Sequence, residues 1–555
     1  MMDAAMASGE RGKSNAGDGC AAWAGLARVF LFVVVLVVFG RAATFDFTGW
    51  DDNATVQQNS LINPPTISGL GEIWRQPQGG LYVPVTYTAW WLAAKLAVVN
   101  FGGMLTGLRA WPFHAMNVVA HAVATLLVFE LLLMLVERFS PALGAAGIWA
   151  ALIGSLIFAL HPLQVEAVAW ISGAKDVLGG LFSIATIVLW LKAERGGANT
   201  TRLTVAAIAC GVLAMLAKPV AVMLAPVLLA ADLIERRGQV WRCVAHVTPV
   251  AITGLIVLAI TWRVQNVVAV PKVALADRPL VAADTLTFYV DKIFWPAGLA
   301  ADYGRSPARA IASDAAAWQS AAKFAVAAGV ILAIALAWRF SRMAALGGTW
   351  FILWLLPSLG LVTFMYQIHS TVADHYLYLP MTGIAAVVAA VVVATGVGGR
   401  IVGLAVCLVL AVLSWRQLGV WHDSVSVFSR VVQVNPNSSG SQTNLGNALA
   451  ASGQIDAAID HFQVAVKLNG NDASARTSLA QALLQVGDYA GAVQQATGGL
   501  EAIDRQPAAV VDSKQRLFVI RGEAYAGLGQ MKPARADLAR AGITLPGDWP
   551  ATTHP

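Results

Sequence analysis

The sequence predicts an all-α protein in two parts, a polytopic membrane helix bundle of about eleven spans followed by a C-terminal α-solenoid of helical repeats. Three observations lead there. Of 555 residues, 57% are apolar and only 12% charged, about half the charged share of a soluble domain. Apolar runs long enough to cross about 30 Å of hydrocarbon recur from residue 22 to residue 415. From about residue 421 the composition turns to Gln, Asn, Asp and Ala, and a period of 34 residues sets in.

The composition also excludes function classes. With a mean hydropathy of +0.64, the charged residues cannot cover the apolar surface, so the solvent is lipid and a soluble enzyme is ruled out. A net charge of +6 spread thinly over the chain does not suit nucleic-acid binding. The four cysteines, Cys20, Cys210, Cys243 and Cys407, share no motif spacing and none falls on the outer side of the expected topology, so no disulfide is expected.

Residues 1–21 read as a cytoplasmic tail and the first run, 22–40, as a retained anchor, because it is longer than a signal-peptide core. Further runs lie near 114–136, 145–160, 177–192, 203–217, 219–234, 244–262, 320–338, 345–366, 380–396 and 401–415, closing a membrane domain over 22–416. The stretch 286–299 is short and carries Asp291 and Lys292 at its centre. If it does not cross, the loops with Arg138, Lys192, Arg195, Arg202, Arg236, Arg237, Arg242, Arg339, Arg342 and Arg400 all face the cytoplasm, and only Lys175 and Lys218 occupy the opposite turns. That is the positive-inside pattern, so 286–299 is expected to lie along the outer interface. Two long external loops follow, near 41–113 and 263–319, and the repeats at 421–548 are expected outside. The Ala-rich composition and lack of a retention signal favour a bacterial inner membrane, with site and repeats on the periplasmic side.

In the repeats, Leu445, Gly446, Ala458 and Phe462 recur as Leu479, Ala480, Ala492 and Ala496. After an eight-residue insertion the pattern returns as Gly522, Tyr525, Ala534, Leu538 and Pro546, and Phe428 with Pro436 suggests a leading half repeat. These are tetratricopeptide positions, small where two helices cross and large between repeats. Asn444 and Asn447 are the candidates for gripping a peptide backbone in the groove, although repeat two has Ser478 and Gln481 in their place. The alternative is a docking module or spacer.

Ionisable residues near membrane depth are costly and mark functional candidates. Three clusters fall at the expected outer face. In FDFTGWDDNATVQQN, Asp51 and Asp52 follow Trp50; a carboxylate against aromatic walls suits a general base. The structural alternative is that one of the pair caps a helix starting near Ala54. In LHPLQVEAVAWISGAKDVL, His161, Glu166, Lys175 and Asp176 crowd a turn between two apolar runs, and His161 and Lys175 could hold a lipid-linked phosphate. In QIHSTVADHYLYLPM, His375 follows Asp374, and Lys218 adds a cation between two other spans.

Taken in order, WDDN, HPLQVEAVAWISGAKDVLGGLF, LAKPVAVMLAPVLLAAD, DHYLYLP and the repeat tail resemble the transmembrane and tetratricopeptide repeat-containing protein O-mannosyltransferases and their bacterial relatives, within the GT-C superfamily. The resemblance implies inverting transfer of a sugar from a polyprenyl phosphate to an acceptor hydroxyl outside the membrane. An acidic residue of the first external loop would be the base, the place held by Asp51 and Asp52. His161, Lys175, Lys218, His375 and Arg305 would balance the phosphate, with Glu166, Asp176, Asp374 and Trp50 in support, and the repeats would recruit a protein acceptor. Relatives commonly carry Arg where this chain has His375, a His holding charge only below about pH 6.5; Arg305 or Lys175 would then cover the phosphate, or the donor differs. No Asp-x-Asp pair occurs in the first loop, which leaves a divalent cation open and assigns no metal ligands. The rival readings are a ligase for lipid-linked oligosaccharides and a non-enzymatic membrane-anchored scaffold.

Overall fold

The computed structural model describes residues 2–101, 104–235, 239–265, 273–312, 317–505 and 511–543. Arg236, Arg237 and Pro546 fall outside that set. The chain divides into two compact units, Met1–His422 and Asp423–Pro555.

The first unit is helical except for one antiparallel hairpin, β1 (Val98–Phe101) and β2 (Met104–Leu108). Its helices are α1 (Met2–Phe39), α2 (Ile67–Arg75), α3 (Pro84–Ala97), α4 (Trp111–Phe139), α5 (Ala145–Leu160), α6 (Val165–Ala169), α7 (Ala174–Glu194), α8 (Thr200–Ala217), α9 (Leu224–Glu235), α10 (Val240–Gln265), α11 (Arg278–Phe294), α12 (Pro307–Ala312), α13 (Ala317–Phe340), α14 (Arg342–Leu355) and α15 (Pro380–Leu418). In hydrocarbon every backbone N–H and C=O needs a partner within its own segment, which the helix supplies.

Among the described residues, seven helices are long and apolar enough to cross a membrane, and an eighth if α5 and the segment Pro162–Ala169, bent by 51°, form one span. The sequence predicted about eleven, and the difference has local causes. α15 contains a break at Gly396 (φ 60, ψ −128), a conformation that only glycine adopts readily. On one side of the break Ala385 faces Gly154; on the other, Gly403 faces Ile153 and Ser414 donates to Leu160 O at 2.7 Å. Both halves therefore run along α5 in opposite directions, which is the pair of runs 380–396 and 401–415. The run 345–366 is helical only to Leu355, because Pro357 and the left-handed Gly360 (φ +86) end it. Its 14 residues span about 21 Å, short of a full crossing. The run 219–234 opens as the 3-10 turn Pro219–Met223 before α9. α11 is not among the membrane-crossing helices; one face is buried and its end presents Phe294 and Trp295 to the exterior.

Bundle helices approach closely through small residues. A Cβ on Gly347 or on Gly383 would run into the backbone of the other's helix, so α14 and α15 touch main chain to main chain.

In the second unit, α16 (Ser424–Val434) precedes three helix pairs: α17 (Ser439–Ala451) with α18 (Ile455–Leu468), α19 (Ala473–Gln485) with α20 (Tyr489–Asp504), and α21 (Val511–Gly527) with α22 (Met531–Arg540). A side chain at Gly446 would strike the Phe462 ring, and one at Gly522 would strike Leu538, the close crossings that the period demands. Asp472 and Asp488 cap α19 and α20 by accepting from Ala475 N and Gly491 N. Each pair turns through a left-handed glycine, Gly453, Gly487 or Gly529 (φ 83, 83 and 74). Asn444 is half-buried and Asn447 exposed on α17.

Candidate functional site

The two aspartates after the first span have different surroundings. Asp52 is fully buried. Its Oδ2 accepts from Thr48 N (3.0 Å) and Thr48 Oγ1 (2.9 Å), and its Oδ1 accepts from Ser172 N (3.0 Å) and Ser172 Oγ (2.7 Å). Burial pushes its carboxyl above the ordinary aspartate range, against the pull of these bonds toward the ionised form. Asp52 caps nothing with its side chain; it joins the first loop to a segment 120 residues away. Asp51 instead leaves 46% of its side chain exposed, with an oxygen 3.9 Å from Lys175 Nζ. Thr55 fixes the loop further, donating to Asp51 O at 2.9 Å and meeting Ser172 Oγ at 2.9 Å. Trp50 beside it is half-buried.

Ser172 was not singled out in the sequence. The only signal for it is its place inside WISGAKD, between Trp170 and Lys175.

Around Asp51 the other two clusters converge. Lys175 opens α7 and its Nζ stands 5.6 Å from the Trp170 ring centroid. Lys218 caps the end of α8, is ion-paired with Asp176, and lies 5.4 Å over the Tyr376 ring. His375 closes the wall, with its ring centroid 4.5 Å from Tyr376 and 5.8 Å from Trp170. Its Nδ1 is 2.9 Å from Glu166 Oε1 and its N–H donates to Glu166 Oε2 at 3.2 Å. Asp374 is buried and accepts from Tyr303 Oη at 2.6 Å. Four separate stretches thus supply one charged box at one end of the bundle.

Two expected phosphate ligands have protein partners of their own. His161 is buried with both ring nitrogens in use, Nδ1 accepting from Leu163 N at 3.3 Å and Nε2 facing Ile293 O at 3.1 Å. It holds the α5 bend. Arg305 is engaged by Asp284, which also pairs with Lys323 at 2.9 Å.

His375 sits in the box as a neutral imidazole. Burial, reinforced by Lys218 and Lys175 against the opposing pull of Asp176 and Asp51, pushes it down to about 3. An unfolded histidine protonates near pH 6.5, so the contribution of His375 to stability is complete above that pH and is lost as pH falls from about 6.5 to about 3. We expect His375→Gln to remove about one proton from the uptake on unfolding across that window, read from the pH dependence of the thermal midpoint. An unchanged slope would place His375 in a solvated setting.

Among the described residues, one set of side chains is spaced to hold a metal ion, Glu194, Asp232 and His246, and it lies at the other end of α7.

Fold and site together define a predominantly helical, multi-pass membrane protein carrying tetratricopeptide repeats, with a carboxylate and two lysines gathered at one end of its bundle. A family profile described as a TPR repeat matches residues 446–487, and homologues of the chain are named protein O-mannosyl-transferases. One from Caenorhabditis elegans is 23% identical over 425 residues, 71% of this chain and 56% of that protein. TMTC4 of Mus musculus is 24% identical over 500 residues, 79% of this chain and 66% of its own length. TMTC2 of Mus musculus is 40% identical over 86 residues, 16% of this chain and 9% of that protein. The chain spans a little over half the length of the Caenorhabditis elegans relative.

Proposed function

We propose that this chain is an inverting glycosyltransferase that moves a sugar, mannose first among candidates, from a polyprenyl phosphate to a Ser or Thr hydroxyl of a protein. The observation that carries the reading is the pairing of an accessible carboxylate, Asp51, with Lys175 at 3.9 Å, backed by Lys218. A partly exposed ion pair of this length is worth at most about 1 kcal/mol. It yields readily to an arriving phosphate, which takes Lys175 and frees Asp51.

Asp51 then removes the hydroxyl proton as the acceptor oxygen attacks the anomeric carbon from the face opposite the phosphate. The carbon–oxygen bond to phosphate breaks with its electron pair on the leaving oxygen, where Lys175 and Lys218 offset the growing charge. Asp52 and Ser172 hold the loop that presents Asp51, and the Glu166–His375 pair stiffens the opposite wall. His161, with both ring nitrogens bonded, is left to structure. Basic loop residues gather at the opposite helix ends, which favours a site facing away from the cytoplasm; for a bacterial chain that is the periplasmic side of the inner membrane.

The repeats would recruit the acceptor protein, with Asn444 and Asn447 as groove residues. Purified protein supplied with radiolabelled polyprenyl phosphate mannose and a Ser/Thr-rich polypeptide should transfer label to the polypeptide. Removing residues from 423 onward should reduce that transfer more than hydrolysis of the donor. No transfer from any polyprenyl monophosphate sugar, with activity on a pyrophosphate-linked oligosaccharide, would replace this reading with a ligase.

A further inference from the structure

At the end of α7 remote from Lys175, three helices bring together a donor set that no sequence motif announces. Glu194 closes α7, Asp232 lies in the last turns of α9 and His246 in the second turn of α10. His246 Nδ1 is 2.7 Å from Asp232 Oδ2 and 3.7 Å from Glu194 Oε1. The candidate ligand atoms all lie within 4.8 Å of one another. The carboxylates are interior, with side chains 0% and 5% exposed for Asp232 and Glu194, while His246 keeps 28%.

We propose that Glu194, Asp232 and His246 bind a divalent transition-metal ion that clamps α7, α9 and α10 together. A tetrahedral ion with bonds of about 2.0–2.2 Å to nitrogen and oxygen sets its donors about 3.3–3.6 Å apart. The two spacings to His246 Nδ1, 2.7 and 3.7 Å, bracket that range, and the remaining spacing between the carboxylates lies within 4.8 Å, so side-chain rotations at an unmoved backbone would close the site. Two carboxylates and one imidazole suit Zn²⁺ or Mn²⁺. Supporting contacts are present as well. Trp190, one turn before Glu194, donates to the other Asp232 oxygen at 3.4 Å and lies against His246 with ring centroids 4.3 Å apart. Ligating carboxylates held in this way by a hydrogen bond are a recurring feature of protein metal sites. The exposed edge of His246 leaves a path for the ion and for a water in the fourth position. The 21 residues of α7 put the clamp about 30 Å from Lys175, so its role is structural and does not depend on the sugar-transfer reading.

The test uses the full chain in detergent, stripped with a chelator, desalted and given ZnCl₂ or MnCl₂ alone. The expected result is about one retained equivalent per chain and a rise in the thermal midpoint. Glu194→Gln and His246→Ala should each lose most of the retained metal and the rise. If a variant does not fold, Co²⁺ added to the stripped wild-type chain should give the strong visible bands of a four-coordinate site. A wild-type chain that retains no metal and shows no rise, variants that retain as much as wild type, or a Co²⁺ spectrum identical to the free aquo ion would each overturn the proposal.

Discussion

Asp51→Asn is expected to lower sugar transfer by about 10²–10⁴-fold, the range for loss of a positioned general base, with the thermal midpoint unchanged. The expectation rests on the surroundings of the side chain. Asp51 is partly exposed and its ion pair with Lys175 is long, so replacing the carboxylate by an isosteric amide costs little stability. What is lost is the proton acceptor. Steady-state transfer from a labelled polyprenyl phosphate sugar, read beside a melting curve of the same preparation, checks both halves.

Asp52→Asn is expected to act on stability first. Both Asp52 oxygens receive a backbone N–H and a hydroxyl, from Thr48 on one side and Ser172 on the other. An Asn offers one acceptor oxygen and turns an NH₂ toward a main-chain donor that cannot reorient. A buried donor left unsatisfied costs about 1–3 kcal/mol, and here the loss also loosens the loop that presents Asp51. The thermal midpoint should fall, and transfer should fall with it. A variant that melts like wild type but transfers no sugar would make Asp52 the base and Asp51 its neighbour.

These different expectations for adjacent residues mark where the sequence stops being informative. WDDN shows two carboxylates leaving a membrane helix, and nothing local separates them. The separation comes from Ser172, 120 residues downstream, whose hydroxyl and N–H turn one aspartate into a tie. Long-range partners account for other departures too. His161 reads as a cation beside a proline, but its two nitrogens are taken by Leu163 and Ile293. Arg305 reads as a free cation in an external loop, and Asp284 on α11 holds it. Glu194, Asp232 and His246 lie 38 and 14 residues apart on three helices, a spacing that belongs to no metal motif.

What was legible follows from periodicity and solvent. Apolar runs in lipid have one backbone solution, so their helicity could be read directly. The interruption at Gly396 stood out as a Gly-rich gap between two runs, whereas the shortening at Leu355 did not, because Pro357 sits inside an otherwise apolar stretch. The repeat register was carried by residues whose size is fixed by contact, Gly446 against Phe462 above all. The turn glycines Gly453 and Gly487 repeat it 34 residues apart, a second signal in the same sequence.

The account stands most directly on separating proton removal from phosphate binding, by measuring turnover and donor KM for Asp51→Asn and Lys175→Met in one transfer assay. It predicts that Asp51→Asn loses turnover at an unaltered donor KM, and that Lys175→Met raises donor KM by at least about tenfold, the loss of one charge-assisted contact. Wild-type turnover in Asp51→Asn, or a donor KM that does not respond to Lys175, would contradict it.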